Sequence, residues 1–193
     1  MLTILRQACC HPKLIEPNID LPSAKMQVFE EILQELREGN HRALVFSQFV
    51  RYLSIVREKL DKLKVSYQYF DGSTPVKKRR QAVEAFQSGE GDLFLISTKA
   101  GGFGLNLTAA DYVIHLDPWW NPAVEEQASD RVHRIGQTRP VTVYKIVTQG
   151  TVEDKIIKLH GEKRKLAGNV LADTDKTAGL NTKDLVKLLR ELV

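Results

Sequence analysis

The chain has 193 residues, 42% of them apolar and 27% charged, the balance of an ordinary globular domain with one core and an appendage rather than of two full domains. No apolar run is long enough to span a bilayer and the first residues lack the apolar length of a signal peptide, which excludes a membrane protein of the helical kind. The formal net charge of +4 permits a nucleic-acid partner without requiring one, and two adjacent cysteines, Cys9 and Cys10, cannot staple distant segments, which implies a reducing compartment.

The elements alternate along the chain. A helix is expected from about Ser23 to Glu38, with Ser23 as N-cap, Met26, Phe29, Ile32, Leu33 and Leu36 on one face, and Gly39 just past its end. The run Ala43-Leu44-Val45-Phe46 reads as a buried strand. Phe49, Leu53, Val56, Leu60 and Leu63 then recur at helical spacing, and Val65 to Phe70 reads as the next strand, closed by the turn Asp71-Gly72-Ser73. Thr74 before Pro75 signals the cap and first turn of a helix ending near Phe86. Leu93 to Ile96, Tyr112 to Leu116 and Thr142 to Val147 are further strands. Asn121 and Pro122 open a helix through about His133. Thr151 with Asp154 reads as a capping box for a long helix toward Leu171. A linker and a short helix carrying Leu185, Leu188, Leu189 and Leu192 follow. Strands apolar on both faces and separated by helices predict an α/β fold, with a mainly parallel sheet covered on both sides and ligands at the carboxyl ends of its strands.

Two segments carry the chemistry. Ser97-Thr98-Lys99-Ala100-Gly101-Gly102-Phe103-Gly104 follows a strand directly, and its glycines allow a tight turn and close approach to a phosphate. A plain strand-to-helix turn would look the same, and the spacing is neither that of a Walker A loop nor that of a dinucleotide fingerprint. The second segment runs Asp117-Pro118-Trp119-Trp120-Asn121-Pro122 and on to Gln127, Asp130, Arg131, His133, Arg134, Gly136 and Gln137. On a helix Gln127, Arg131 and Arg134 share a face, and two guanidiniums side by side want an anion between them. The plainer alternative is a solvated basic face.

These two segments resemble motifs V and VI of the superfamily-two helicases, in the version found in Swi/Snf-related ATPases. Ala43 to Phe49 resembles motif IV, and Asp71-Gly72-Ser73-Thr74 the segment that follows it. Leu5-Arg6-Gln7-Ala8-Cys9-Cys10-His11-Pro12 resembles the stretch entering the second lobe, and Thr151 to Ile156 the start of a brace helix. The resemblance covers about Leu5 to Leu171. It implies a RecA-like three-layer C-terminal lobe with a helical extension, divided into an entry segment (1–22), the lobe (23–150), a brace-like helix (151–171) and a linker with a short helix (172–193).

It further implies half of a DNA-dependent ATPase. Arg131, Arg134 and Gln127 would be catalytic and reach ATP, with Gly101 and Gly104 shaping the nucleotide-linked turn. Ser47, Gln48, Thr98, Lys99 and Trp120 match family positions that face DNA. ATP and Mg2+ would be held mainly by a first lobe, because this sequence has no Gly-Lys and no Asp-Glu pair. The implied partners are double-stranded DNA and that N-terminal RecA-like lobe, with the chain itself monomeric and no membrane involved. Composition and loop lengths read as bacterial, hence cytoplasmic and nucleoid-associated; a eukaryotic source would make it nuclear. A non-catalytic nucleic-acid-binding module and half of a strand-separating helicase are the alternative functions. Cys9, Cys10 and His11 are read as packing residues rather than a zinc site, His115 as a core histidine, and Lys77, Lys78, Arg79 and Arg80 as a solvated surface.

Overall fold

In the computed structural model the described residues are 2–100, 107–119, 121, 123, 125 and 139–170. The chain opens with α1 (Leu2–Cys10) and a 3-10 turn (Pro12–Leu14), whose first N–H groups are met by His11: its Nδ1 accepts from Lys13 N at 3.1 Å. α2 (Ala24–Glu38) starts where the sequence predicts, with the Ser23 hydroxyl accepting from Met26 N at 3.3 Å. β1 (Ala43–Ser47), α3 (Val50–Leu63), β2 (Tyr67–Phe70), α4 (Val76–Gln87) and β3 (Leu93–Ser97) follow in strict alternation. β4 (Tyr112–His115), β5 (Thr142–Lys145) and α5 (Val152–Val170) complete the described elements.

The five strands form one sheet in the order β2-β3-β1-β4-β5, and every pairing is parallel. Alternation along the central strands builds two cores. Ala43, Val45, Leu93, Leu95 and Ile114 point to the face covered by α2 and α3, against Phe29, Leu33, Leu53, Val56 and Leu60. Leu44, Phe46, Phe94, Ile96 and Val113 point to the other, against Phe86 of α4. This is why the strands read as unbroken apolar runs: both pleat directions are buried. No described helix is long and apolar enough to cross a membrane.

Two start signals resolve differently from expectation. Thr74 does not cap α4, because its hydroxyl already donates to Asp71 Oδ1 at 3.2 Å and accepts from Asp71 N at 3.0 Å. Pro75 takes the N-cap position without a side-chain hydrogen bond. At α5 the Thr151 hydroxyl accepts from Glu153 N at 3.2 Å, but Asp154 does not close the box; it pairs forward with Lys158 at 3.1 Å. Glycine is required at Gly91, where φ is +94° and a Cβ would lie 3.2 Å from the Tyr67 backbone.

Candidate functional site

The chain leaves β1 toward β2 and leaves β4 toward β5, although β1 and β4 are neighbours. Adjacent parallel strands whose connections depart in opposite directions open a crevice at their carboxyl ends, the usual ligand position in such sheets. The residues at that position are Ser47, the last of β1, with Gln48 after it, and Leu116, Asp117 and Pro118 after β4. Ser97, the last of β3, lies one strand further, with Thr98 and Lys99 after it.

A buried polar network closes the floor of this crevice. Asp117 is 4% exposed. One of its carboxylate oxygens accepts the Ser47 hydroxyl, and the other accepts Gln48 N at 3.2 Å. Burial pushes the Asp117 carboxyl above its ordinary range, while the Ser47 hydroxyl, the Lys25 charge, the Gln48 N–H and Arg6 pull the other way. Lys25, itself 3% exposed, donates to Leu116 O at 2.8 Å, Ile146 O at 3.0 Å and Glu153 Oε1 at 2.8 Å, which uses all three ammonium protons. The second Glu153 oxygen accepts Thr148 N at 3.0 Å. Arg6 reaches in from α1, donating to Gln48 Oε1 at 2.7 Å and to the Pro118 carbonyl. Glu125 is 1% exposed, accepts Trp119 N at 2.7 Å and pairs with Lys145.

Four of the ten residues singled out from the sequence lie in this described region. Lys99 is exposed and Gln48 half-buried. Ser47 and Thr98, also expected to face DNA, lie at the carboxyl ends of β1 and β3 with little exposed area. Ser47 has no exposed area and its hydroxyl serves Asp117, while Thr98 is 8% exposed and gives its N–H to Ser47 O at 2.9 Å. Gly101, Gly104, Trp120, Gln127, Arg131 and Arg134 lie outside the described residues. Arg6, Lys25, Asp117 and Glu153 were not singled out from the sequence as site residues. Charged residues that recur among apolar ones at helical spacing give only a faint signal, and their partners are far away in the chain.

The residues read as structural are placed so. His115 is 2% exposed and stacks on Phe46 with ring centroids 5.5 Å apart. Cys10 is fully buried, and burial raises its thiol pKa far above the ordinary value, so it packs as an apolar group. In the basic cluster, Arg79 turns back to donate to Thr74 O at 2.6 Å and Gly72 O at 2.8 Å, Arg80 pairs with Glu84, and Lys77 and Lys78 are exposed. That supports a solvated helix start whose one inward arginine braces the Asp71 turn.

The model of the helicase conserved C-terminal domain family matches residues 24–136. The chain is 38% identical over 197 residues to the DNA excision repair protein CSB of Oryza sativa subsp. japonica, covering 97% of this chain and 17% of that protein. It is 42% identical over 158 residues to the chromatin-remodeling ATPase INO80 of Neurospora crassa, covering 81% of this chain and 8% of that one. The Sulfolobus solfataricus SWI2/SNF2 ATPase core in complex with dsDNA superposes with a TM-score of 0.74 at 36% identity, over 90% of this chain and 37% of that one. This chain spans less than a fifth of the length of either curated relative. The parallel α/β sheet, the motif order and these likenesses agree: the chain belongs to the helicase C-terminal domain family, as the RecA-like second lobe of its Swi/Snf-related branch.

Proposed function

We propose that this lobe is one half of an ATP-driven translocase on double-stranded DNA, lending arginines to the nucleotide and part of the track to the duplex. The observation that carries this reading is that Gln127, Arg131 and Arg134 all fall within the span matched by the family, 24–136, in a sequence with no Gly-Lys and no Asp-Glu pair of its own. The lobe thus holds the residues that answer a triphosphate and lacks those that grip it. In this reading 1–22 lead in from the first lobe and 151–171 brace back toward it.

ATP supplies the phosphoryl group that passes to water, and its Mg2+ is held mainly by the first lobe. This chain's part is electrostatic. Arg131 and Arg134 neutralise charge growing on the transferred group, which planar multi-donor guanidiniums do well. Gln127 helps orient the phosphate, and Gly101 and Gly104 shape the turn between nucleotide and duplex. Lys99 grips DNA phosphates with Trp120, while Ser47, Gln48 and Thr98 act from beneath by fixing that edge. Duplex DNA as partner is supported by the likeness to the Sulfolobus ATPase core, which is in complex with dsDNA.

The test is DNA-stimulated phosphate release by the full-length protein carrying Arg131→Ala or Arg134→Ala. Each variant is expected to lose about 10³-fold or more in turnover, the ordinary weight of an arginine finger. Turnover equal to the parent protein's would remove the assignment. Third-strand displacement from a triplex without duplex unwinding is expected of the parent protein; unwinding would make it a strand-separating helicase instead.

A further inference from the structure

Arg6 is 2% exposed, although it sits within the first turns of the chain. Its guanidinium spans the crevice between β1 and β4, with one arm on Gln48 Oε1 at 2.7 Å and the other on the Pro118 carbonyl. It also lies 5.7 Å from the centre of the Phe49 ring. Burial lowers the pKa of this guanidinium, while the nearby Asp117 and Glu153 charges raise it and offset part of the desolvation penalty. Gln48 Oε1 and Pro118 O stand on two different strand ends, and the Asp117 charge lies near the same guanidinium. The planar fork of an arginine reaches both acceptors at once, which an apolar side chain of the same size does not.

Gln48 adds a second, independent observation. Its Oε1 is held by Arg6, but its Nε2 is buried without a hydrogen-bond partner. A buried unsatisfied donor costs about 1–3 kcal/mol. Stability by itself would not select that side-chain setting; the Arg6 arm does. The two segments so held are the one that carries a DNA-facing candidate and the one from which the chain runs on toward Arg131 and Arg134.

We propose that Arg6 is a positioning residue for DNA-coupled ATP turnover: it locks the carboxyl ends of β1 and β4 to the entry helix, so that a shift of that helix moves both loops together. This rests on the translocase reading above. Arg6 touches neither nucleotide nor duplex. It acts through Gln48 and Pro118, across the topological switch point of the sheet.

The experiment uses the full-length protein with Arg6→Lys and Arg6→Met. Lysine keeps the charge but not the fork that reaches two acceptors. Arg6→Lys is expected to melt close to the parent protein and keep its KM for ATP and its Kd for duplex DNA within about two-fold, while DNA-stimulated kcat falls about ten-fold to a hundred-fold. Arg6→Met should lose at least as much kcat, and Arg6→Lys with Gln48→Leu should lose no more than the worse single variant, because both cut one link. Arg6→Lys with parental kcat overturns the proposal. So does an Arg6→Lys variant whose melting temperature collapses, or whose KM and kcat worsen together, since Arg6 would then only hold the fold. A parent protein whose turnover ignores DNA fails at the translocase reading first, and the inference falls with it.

Discussion

His115 shows how one buried residue can set the response of the lobe to acid. It lies at the end of β4 beneath Phe46, and burial depresses its pKa from 6.5 to about 4, with Glu125 raising it and Lys145 lowering it by smaller amounts. The folded state therefore binds fewer protons than the unfolded chain between these two values, so stability falls as pH drops from 6.5 toward 4. The expected loss from this residue is roughly 3 kcal/mol across the window, and His115→Phe should flatten that part of the curve in urea titrations run at stepped pH. A slope unchanged by the substitution would show that other groups carry it. Asp71 acts further down the scale. Burial raises its pKa, but the Ser73 and Tyr69 hydroxyls, Ser73 N and the Thr74 hydroxyl outweigh this and bring it to about 2. Its contribution is present above the ordinary carboxylate value and is lost only as pH falls toward 2. The acid response between pH 6.5 and 4 is thus expected to come from the histidines depressed by burial, His115 and His11, and not from this aspartate.

At the scale of elements, Lys25 and Glu153 fasten α2 to α5 and to the ends of β4 and β5, with the ion pair at 2.7 Å and both side chains nearly free of solvent. Removing one partner strands the other charge in the interior. Lys25→Met is therefore expected to cost about 3–5 kcal/mol in urea unfolding, and adding Glu153→Leu should return most of it, because a buried pair replaced by apolar groups is often neutral. If the double variant is as unstable as the single one, the pair is worth more than its desolvation. The contrast with α2 itself shows what a sequence reveals. Ser23 and Gly39 bracket that helix within one turn of each end, and local capping chemistry is enough to see it. The strands were legible for a similar reason, since both faces of Ala43-Leu44-Val45-Phe46 are buried and no polar residue interrupts them. The Lys25 network was not, because its partners stand 91, 121 and 128 residues away. Only the folded sheet brings Leu116, Ile146 and Glu153 to one ammonium group. At Ser47 the motif names a strand-end position, and the structure adds that its hydroxyl donates inward to Asp117. The register of a strand end tells which edge a residue occupies, not which way its side chain is aimed.

For the molecule as a whole, the parallel sheet puts its ligand edge at the carboxyl ends of β1, β3 and β4, and the positions expected to face DNA lie at or just past those ends in sequence. In the proposed reading the lobe contributes charge to a nucleotide but no phosphate cradle, so catalysis should be a property of two lobes and not of one. The 193-residue polypeptide alone is expected to bind ATP weakly and to release no phosphate from it, with or without duplex DNA, because no Gly-Lys pair grips the triphosphate and no Asp-Glu pair places its metal and water. It should still bind duplex DNA, through Lys99 and its neighbours, with an affinity that falls as salt rises, since those contacts displace counterions from phosphates. Phosphate release measured on the pure polypeptide, beside DNA binding at two salt concentrations, separates these properties. Binding without turnover is the outcome of a lobe that works only against a partner. Steady DNA-stimulated release from the polypeptide alone would mean that it carries a complete nucleotide site of its own, and the division of labour between two lobes would have to be abandoned.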